Sequence, residues 1–157
     1  MPGGVSVFGG SGSGAAPVVS SYSQSGDFGG GLPIQAANTT NMQDGLAEPF
    51  AATTNGVLEW VQMTLTASAF VGNVTLMSST ATGGWGAAYI NGRRLQRTND
   101  ASPGLGSTWT DVNASLSGFT NGSSQTFAVN ANCTALRLAS PSGGGVYVAV
   151  GDFRLGS

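Results

Sequence analysis

The sequence has no histidine and no lysine, and it is poor in charge of either sign. Its five arginines and seven carboxylates make up 8% of 157 residues, whereas about 25% is typical of a globular domain. The absence of histidine excludes a Ser-His-Asp triad. The scarcity of positive charge excludes the basic stripe with which proteins bind nucleic acid. A partner must therefore be held mainly by apolar packing and hydrogen bonds.

Cysteine occurs once, at Cys133, which excludes an internal disulfide and a zinc site built from several cysteines. We interpret this thiol as a small buried apolar group. The first residues lack the basic and apolar regions of a secretory signal, and no apolar run approaches the roughly 20 residues of a membrane span. We therefore expect a protein that is assembled in a cytoplasm and binds no membrane.

No pattern of acidic residues indicates a catalytic or metal-binding site. Asp111 and Asp152 are the pair that glycoside hydrolysis would need, but they share no short motif. A calcium ion at Asp100 or Asp152 would lack the D-x-[DN]-x-[DN]-G loop. The spacing of glycines in 10–15 matches a dinucleotide fingerprint, but Pro17 and a Val/Ser run follow where a helix must begin. The sequence predicts a protein that is not an enzyme and holds no cofactor.

What the chain has instead is glycine, at 26 of 157 residues, and short apolar stretches that alternate between turn residues. In 56–66 the alternation places Val61, Met63 and Leu65 on one face, which we assign to the core. Further stretches that favour strands follow at 71–77, 85–97, 108–116, 125–129, 135–139 and 145–155. About eight strands without an amphipathic helix predict an all-β, antiparallel β-sandwich, a jelly roll over residues 51–157.

Residues 85–97 carry the strongest local signal in the chain. Asn91 and Gly92 separate two stretches that favour β-structure, and a type I′ turn requires positive φ at both central residues, which this pair tolerates. We therefore predict a β-hairpin with these two residues at its tip. The arginines around it form either a charged, exposed face or ion pairs with a partner subunit. Three of the five arginines lie there: Arg93, Arg94 and Arg97.

Residues 1–50 differ from the rest in composition, because glycine and serine dominate and Asp27 is the only charged residue before Asp44. A free Gly/Ser linker is a flexible coil, but this segment also contains apolar side chains that need shelter. We predict an extended arm that lies on a surface of its own chain or of a neighbour and adds short strands to a sheet edge. The apolar residues that would bind the partner are Val5, Val7, Phe8, Val18, Val19, Tyr22 and Phe28.

The aromatic residues of the predicted strands have two interpretations. They supply a flat face on which a sugar ring stacks, or they anchor the core and the interfaces of the sandwich. The sugar-binding interpretation requires that Trp85, Tyr89 or Trp109 be exposed to solvent, and we take these three as the candidate face. The wider set of aromatic residues considered is Trp60, Trp85, Tyr89, Trp109 and Tyr147.

The stretches 83–92, 136–138 and 145–155 resemble, in pattern, two groups of jelly-roll proteins. One group comprises carbohydrate-binding modules, whose last strand often ends in a similar apolar-acidic-apolar pattern. The other comprises the decoration (cement) proteins on the heads of tailed bacteriophages. The second group also has a Gly/Ser-rich arm and almost no charge, as this chain does.

The resemblance to decoration proteins implies a structural virion protein that binds the outside of a phage head and stabilises the shell. Its partners would be the major capsid protein or other virion subunits, gripped by the arm. It would be a homo-oligomer, with a trimer favoured, and its many small contacts would be repeated by symmetry. The alternative is a glycan-binding module, either free or on a tail fibre.

Overall fold

A computed structural model describes residues 15–29, 35–56, 58–80, 84–141 and 146–156 of the chain. Within these ranges the chain forms eight β-strands and a short 3₁₀ turn at Ala87–Tyr89. The strands are β1 (Val19–Gln24), β2 (Ala51–Ala52), β3 (Trp60–Met77), β4 (Arg94–Thr98), β5 (Thr110–Asn113), β6 (Ser124–Ala139), β7 (Ala149–Val150) and β8 (Asp152–Leu155).

The larger sheet contains six strands, in the order β1-β3-β6-β4-β5, with β8 beside the second half of β3. β2 and β7 form a two-stranded sheet, and the described pairings are antiparallel. One buried cluster joins both sheets, with Met63, Leu136 and Phe153 from the larger sheet and Ala51 and Val150 from the smaller. The prediction of an all-β, antiparallel β-sandwich is confirmed.

The alternation in 56–66 sets the inner face of β3 as predicted. Val61 and Met63 are fully buried and Leu65 is nearly so, while the residues between them face the other side of the sheet. Because successive side chains of a strand point to opposite faces, these three residues also fix the direction in which β3 presents Gln62.

β3 and β6 are 18 and 16 residues long, against about 5–6 residues for an ordinary strand. Each joins two strands that the sequence predicted separately. Bulges absorb the residues between the two halves of β3, because its register with β6 shifts between Thr64 and Ala69. In β6, Asn130 adopts a φ of +46°, which asparagine tolerates better than most residues, and the strand continues through it.

The predicted strand 145–155 is interrupted at Gly151, which separates β7 from β8. A Cβ at this position would lie 2.6 Å from the carbonyl oxygen of Ala47. The amide of Gly151 also donates a hydrogen bond to the carbonyl of Met77 at 2.8 Å. The glycine is therefore required by the close approach of another backbone segment.

The hairpin predicted at 85–97 does not form. β4 begins only at Arg94, and the first half of the stretch contains the 3₁₀ turn. Of the two tip residues, only Gly92 has a positive φ, at +77°. The Asn91 side chain instead donates to the carbonyl of Phe119 at 3.0 Å and accepts from its amide at 3.1 Å. The two residues still lie in the middle of a turn, which the hydrogen bond from the Arg93 amide to the Ile90 carbonyl closes at 3.2 Å. The 3₁₀ turn, and not a strand, precedes it, so no hairpin forms.

The described part of residues 1–50 packs into the sandwich of its own chain, which is one of the two surfaces predicted for the arm. β1 pairs with β3, with Val19 opposite Leu65 at one end and Gln24 opposite Val61 at the other. It adds a strand to a sheet edge, as predicted, but the edge is that of its own chain. β1 therefore covers the edge of β3 from Val61 to Leu65 and is itself the outermost strand there.

Other residues before position 51 are buried in the same sandwich. Tyr22 packs its ring edge-on against Phe153 and donates its hydroxyl to the carbonyl of that residue. Met42 and Phe50 are fully buried. Val18 stays exposed. The predicted arm contacts Val5, Val7 and Phe8 lie outside the described residues.

Cys133 is fully buried on β6, which confirms its interpretation as a small core residue. Burial raises the pKa of its thiol to about 11. We expect a thiol reagent such as DTNB to react with the folded protein at least about tenfold more slowly than with the protein in urea, because the reactive thiolate is scarce and covered. Equally fast reaction before and after unfolding would contradict this burial.

Candidate functional site

Aromatic rings gather at the end of the sandwich where β1 ends and β3 begins. The amide of Ser25, just after β1, donates to the carbonyl of Trp60 at 3.0 Å. The amide of Phe28 then donates to the carbonyl of Ala52 at 3.1 Å, which brings Phe28 to the smaller sheet. We call the cluster there the aromatic end and define it as Phe28, Phe50, Trp85, Tyr89 and Tyr147.

Trp85 is the centre of the aromatic end. Its ring centroid lies 4.9 Å from that of Phe28, 4.7 Å from Tyr89 and 5.1 Å from Tyr147. Trp85 is only 7% exposed and Phe50 beneath it is fully buried, whereas Phe28 is 45% exposed. The two tyrosines are half-buried. Trp85 and Phe50 therefore form a floor, and the other three rings form an aromatic surface open to solvent.

Arg93 supports this surface from inside the protein. Its guanidinium donates to the carbonyl of Tyr147 at 2.8 Å and to that of Asn91 at 3.0 Å. Burial lowers the pKa of Arg93 from its ordinary value. Both contacts are to its own chain, whereas the sequence predicted an exposed face or an ion pair with a partner subunit. The residue instead fixes the backbone that presents Tyr147.

A second group of candidate side chains lies on the outer face of the larger sheet. Five paired residues, one from each strand of the path β1-β3-β6-β4-β5, form a polar row across it. With Arg94 and Trp109, which contact the row, we call it the polar face. The row is Ser23, Gln62, Arg137, Gln96 and Asp111, in spatial order.

Side-chain hydrogen bonds connect one half of this row. Asp111 accepts from Arg94 Nη2 at 2.6 Å and Nε at 3.1 Å, and from Gln96 Nε2 at 2.9 Å. Arg137 Nε donates to Gln96 Oε1 at 2.8 Å. The Trp109 ring covers the Arg137 guanidinium, with its centroid 4.1 Å from Cζ, a distance at which cation–π attraction is strong.

The pKa values of the polar face follow from these contacts. The hydrogen bond from Arg94 holds the pKa of Asp111 below its ordinary value, and Gln96 adds to the effect. Burial, and to a smaller extent the neighbouring charge of Arg94, lower the pKa of Arg137 to about 10. At neutral pH, Asp111 is therefore ionised and both arginines stay protonated.

The structure divides the residues that the sequence grouped together. Trp85 and Tyr89 share the aromatic end, while Trp109 lies on the polar face. Arg94 pairs with Asp111 of its own chain. Arg97 is half-buried on the opposite side of β4 from Arg94 and Gln96.

Sequence reasoning missed three functional features. Phe28 was assigned to the arm, and its place beside Trp85 depends on the path of the chain after β1. Tyr147 was considered as an aromatic but not selected for the candidate face. Arg137 was not selected at all, although an arginine flanked by Leu136 and Leu138 in an apolar strand is a signal that it faces away from the core.

The acidic residues considered for catalysis or calcium are engaged in other contacts. Asp152 accepts from the amide of Gly45 at 2.6 Å and from Arg154 at 3.2 Å, and Asp100 accepts from the amide of Thr108 at 2.9 Å. Across the described ranges, no three His, Cys, Asp or Glu side chains are grouped closely enough to hold a metal ion. The part of the chain that the structure describes has no helix of the length and apolarity that a membrane span requires.

No protein-family model and no curated protein matches the sequence. Solved structures do match the fold. Chitosan-binding module 1 of a chitosanase/glucanase from Paenibacillus sp. IK-5 superposes with a TM-score of 0.61 at 20% identity, over 87% of this chain and 93% of that module. A pectin-binding carbohydrate-binding module superposes with a TM-score of 0.58 at 19% identity, over 90% of this chain and 93% of its own.

A third similar structure is the family 32 carbohydrate-binding module of NanJ from Clostridium perfringens, which was solved in complex with galactose. It superposes with a TM-score of 0.60 at 12% identity, over 85% of this chain and 90% of that one. At such low identities the likeness establishes the fold alone. The chain has the β-sandwich fold that these carbohydrate-binding modules share.

Proposed function

We propose that the protein is a glycan-binding module and that the aromatic end is its sugar-binding site. The observation that carries the proposal is the exposed surface formed by Phe28, Tyr89 and Tyr147 around the buried floor of Trp85. Ligand sites in proteins are predominantly apolar, with a few polar groups that fix orientation. A sugar ring needs both, because it has an apolar C–H face and a rim of hydroxyl groups.

The aromatic end offers both kinds of contact. Its rings provide apolar area on which the C–H face of a sugar stacks. The hydroxyl groups of Tyr89 and Tyr147 make no hydrogen bond to any described residue, so they are available to the hydroxyl groups of a sugar. Because the site is prearranged by Trp85 and by Arg93 behind Tyr147, little conformational freedom is lost on binding.

The similar structures favour this function over the capsid-decoration interpretation. The proteins named above bind chitosan, pectin and galactose, and each is a binding module rather than a catalytic domain. Nothing in the comparisons supports a decoration protein. The virion location, the capsid partner and the trimeric state stay predictions, because neither the fold nor the comparisons test them.

The test is to screen the protein against chitosan, pectin and galactoside probes and then to titrate the best ligand by calorimetry. We expect Tyr147→Ala and Tyr89→Ala each to weaken binding about tenfold or more, equal to about 1.4 kcal/mol, because anchoring aromatics dominate such surfaces. Tyr147→Phe should lose less, since it keeps the ring and removes only the hydroxyl.

A matched control is Phe70→Ala, which removes an exposed aromatic ring from β3 outside the aromatic end. This variant should bind as the unchanged protein does. Thermal unfolding of each variant separates a lost contact from a lost fold. The proposal is wrong if no probe binds, or if the tyrosine variants bind as tightly as Phe70→Ala.

A further inference from the structure

The polar face and the aromatic end lie on different sides of the sandwich. Arg93 contacts Tyr147 at the aromatic end, whereas Arg94, the next residue, contacts Asp111 on the polar face. Adjacent residues thus mark the two surfaces at the start of β4.

The polar face is largely covered in its middle and exposed at its two ends. Gln62, Gln96 and Arg137 are between 5% and 7% exposed, while Ser23 and Asp111 at the ends are exposed. Adjacent strands of a sheet are about 4.8 Å apart, so a row of residues across five strands extends for about 19 Å. This length accommodates several linked sugar rings.

Tryptophan side chains flank the recessed middle. Trp60 lies on the same face as Gln62, two residues away on β3, and opposite Ala139 in the register with β6. Arg94 pairs with the same alanine from the other side, so a small residue separates Trp60 from Arg94. Trp109 lies over Arg137. Both tryptophans are half-buried, so each keeps part of its ring open to solvent.

The charge of the polar face is positive. Arg94 and Arg137 together outnumber Asp111 by one charge, and these two are among only five arginines in the chain. The Nε group of Arg137 donates to Gln96, and neither of its Nη groups bonds to a described residue. Arg94 likewise keeps Nη1 without a bonded partner among those residues. Guanidinium groups with unused N–H donors are well suited to a carboxylate.

We propose that the polar face is a second carbohydrate-binding surface, which takes an acidic polysaccharide with a uronate carboxylate on Arg137 and Arg94 and sugar rings against Trp60 and Trp109. The carboxylate meets the Nη donors that the protein leaves unused. Gln96 accepts the hydrogen bond from Arg137 Nε and Trp109 covers the same guanidinium, so the charge is held in place before the ligand arrives. The inference does not depend on sugar binding at the aromatic end.

The test compares oligogalacturonates with their methyl-esterified forms, which have the same rings without the charge. Calorimetry should show that the acid form binds at least about tenfold more tightly, as expected when a charge-assisted hydrogen bond is lost. Arg94→Gln should remove most of that preference. Its matched control is Arg97→Gln, which makes the same charge change on the other side of β4 and should keep the preference.

Two further measurements separate the explanations. Arg137→Gln should also abolish the preference for the acid form. Circular dichroism will show whether this variant is folded. If it is not folded, the result for Arg94→Gln alone tests the inference. Polyglutamate tests for simple charge attraction, and it should bind at least about tenfold more weakly than oligogalacturonate because it cannot stack on the tryptophans.

The outcomes that overturn the inference are definite. They are equal affinity for polyglutamate and oligogalacturonate, equal behaviour of Arg94→Gln and Arg97→Gln, or no preference for the acid form. Tyr147→Ala, which damages the aromatic end, should leave the preference intact. Failure at the polar face is thus distinguishable from failure of the aromatic end, because each surface has its own variants.

Discussion

Replacing Trp85 with alanine is expected to lower the free energy of unfolding by about 3–5 kcal/mol, the range for removing a large aromatic side chain from a packed site. Four rings lie between 4.7 and 6.1 Å from its centroid, and the side chain is almost completely buried. Three of these neighbours, Phe28, Phe50 and Tyr147, come from other segments of the chain, so we expect them to fill the space left by the ring only in part. Urea unfolding followed by far-ultraviolet circular dichroism measures the loss without relying on tryptophan fluorescence.

The control for this experiment is Leu105→Ala. Leu105 is 71% exposed, and its truncation should change stability by less than about 0.5 kcal/mol. Trp85→Phe should fall between the two, because it keeps a ring at the centre of the cluster. A loss below about 1 kcal/mol for Trp85→Ala would show that the floor of the aromatic end is not packed as described.

The sequence predicts well what depends on neighbouring residues. Alternation in 56–66 correctly gave the inner face of β3, since the side-chain period of a strand is a property of the local backbone. The fold class followed from the number of such stretches and from the absence of helical periodicity. The single thiol was correctly assigned to the core, because a lone cysteine with no second thiol to pair with behaves as a small apolar residue.

The errors arose where a distant residue competes with a local signal. Asn91 and Gly92 favour a hairpin by themselves, but Asn91 forms two hydrogen bonds with Phe119, 28 residues away. The same applies to the long strands. Turn-forming residues inside β3 and β6 lie in bulges. Because the two strands pair with each other before and after each bulge, these residues do not end the strand.

The candidate site could be predicted only in part, because it is assembled by the order of strands. Trp85 and Tyr89 are close in sequence and lie together as expected. Phe28 and Tyr147 join them from positions more than 50 residues away on either side, and Trp109, 24 residues after Trp85, lies elsewhere. The polar face takes one residue from each of five strands, and no local pattern specifies which strands are neighbours.

Deleting residues 1–24 is expected to abolish cooperative folding. The deletion removes β1, which leaves the β3 edge from Val61 to Leu65 without its partner. It also removes the Tyr22 ring from against Phe153, a loss of about 3–5 kcal/mol by analogy with other buried aromatics. The free energy of unfolding of a whole domain is only about 5–15 kcal/mol. The loss of the ring and of the strand pairing together is therefore expected to remove most of it.

A deletion of residues 1–14 is the control, because it stops before the first described residue and removes none of these contacts. Tyr22→Phe is a second control, which tests the hydroxyl group separately from the ring. It keeps the ring and loses only the hydroxyl that donates to the Phe153 carbonyl, at a cost of about 1 kcal/mol. A sharp urea transition with an unchanged midpoint after deletion of residues 1–24 would mean that β1 is an accessory to a sandwich that folds without it. That result would restore the division of the chain near position 50, because only an independent domain keeps its stability when the preceding segment is removed.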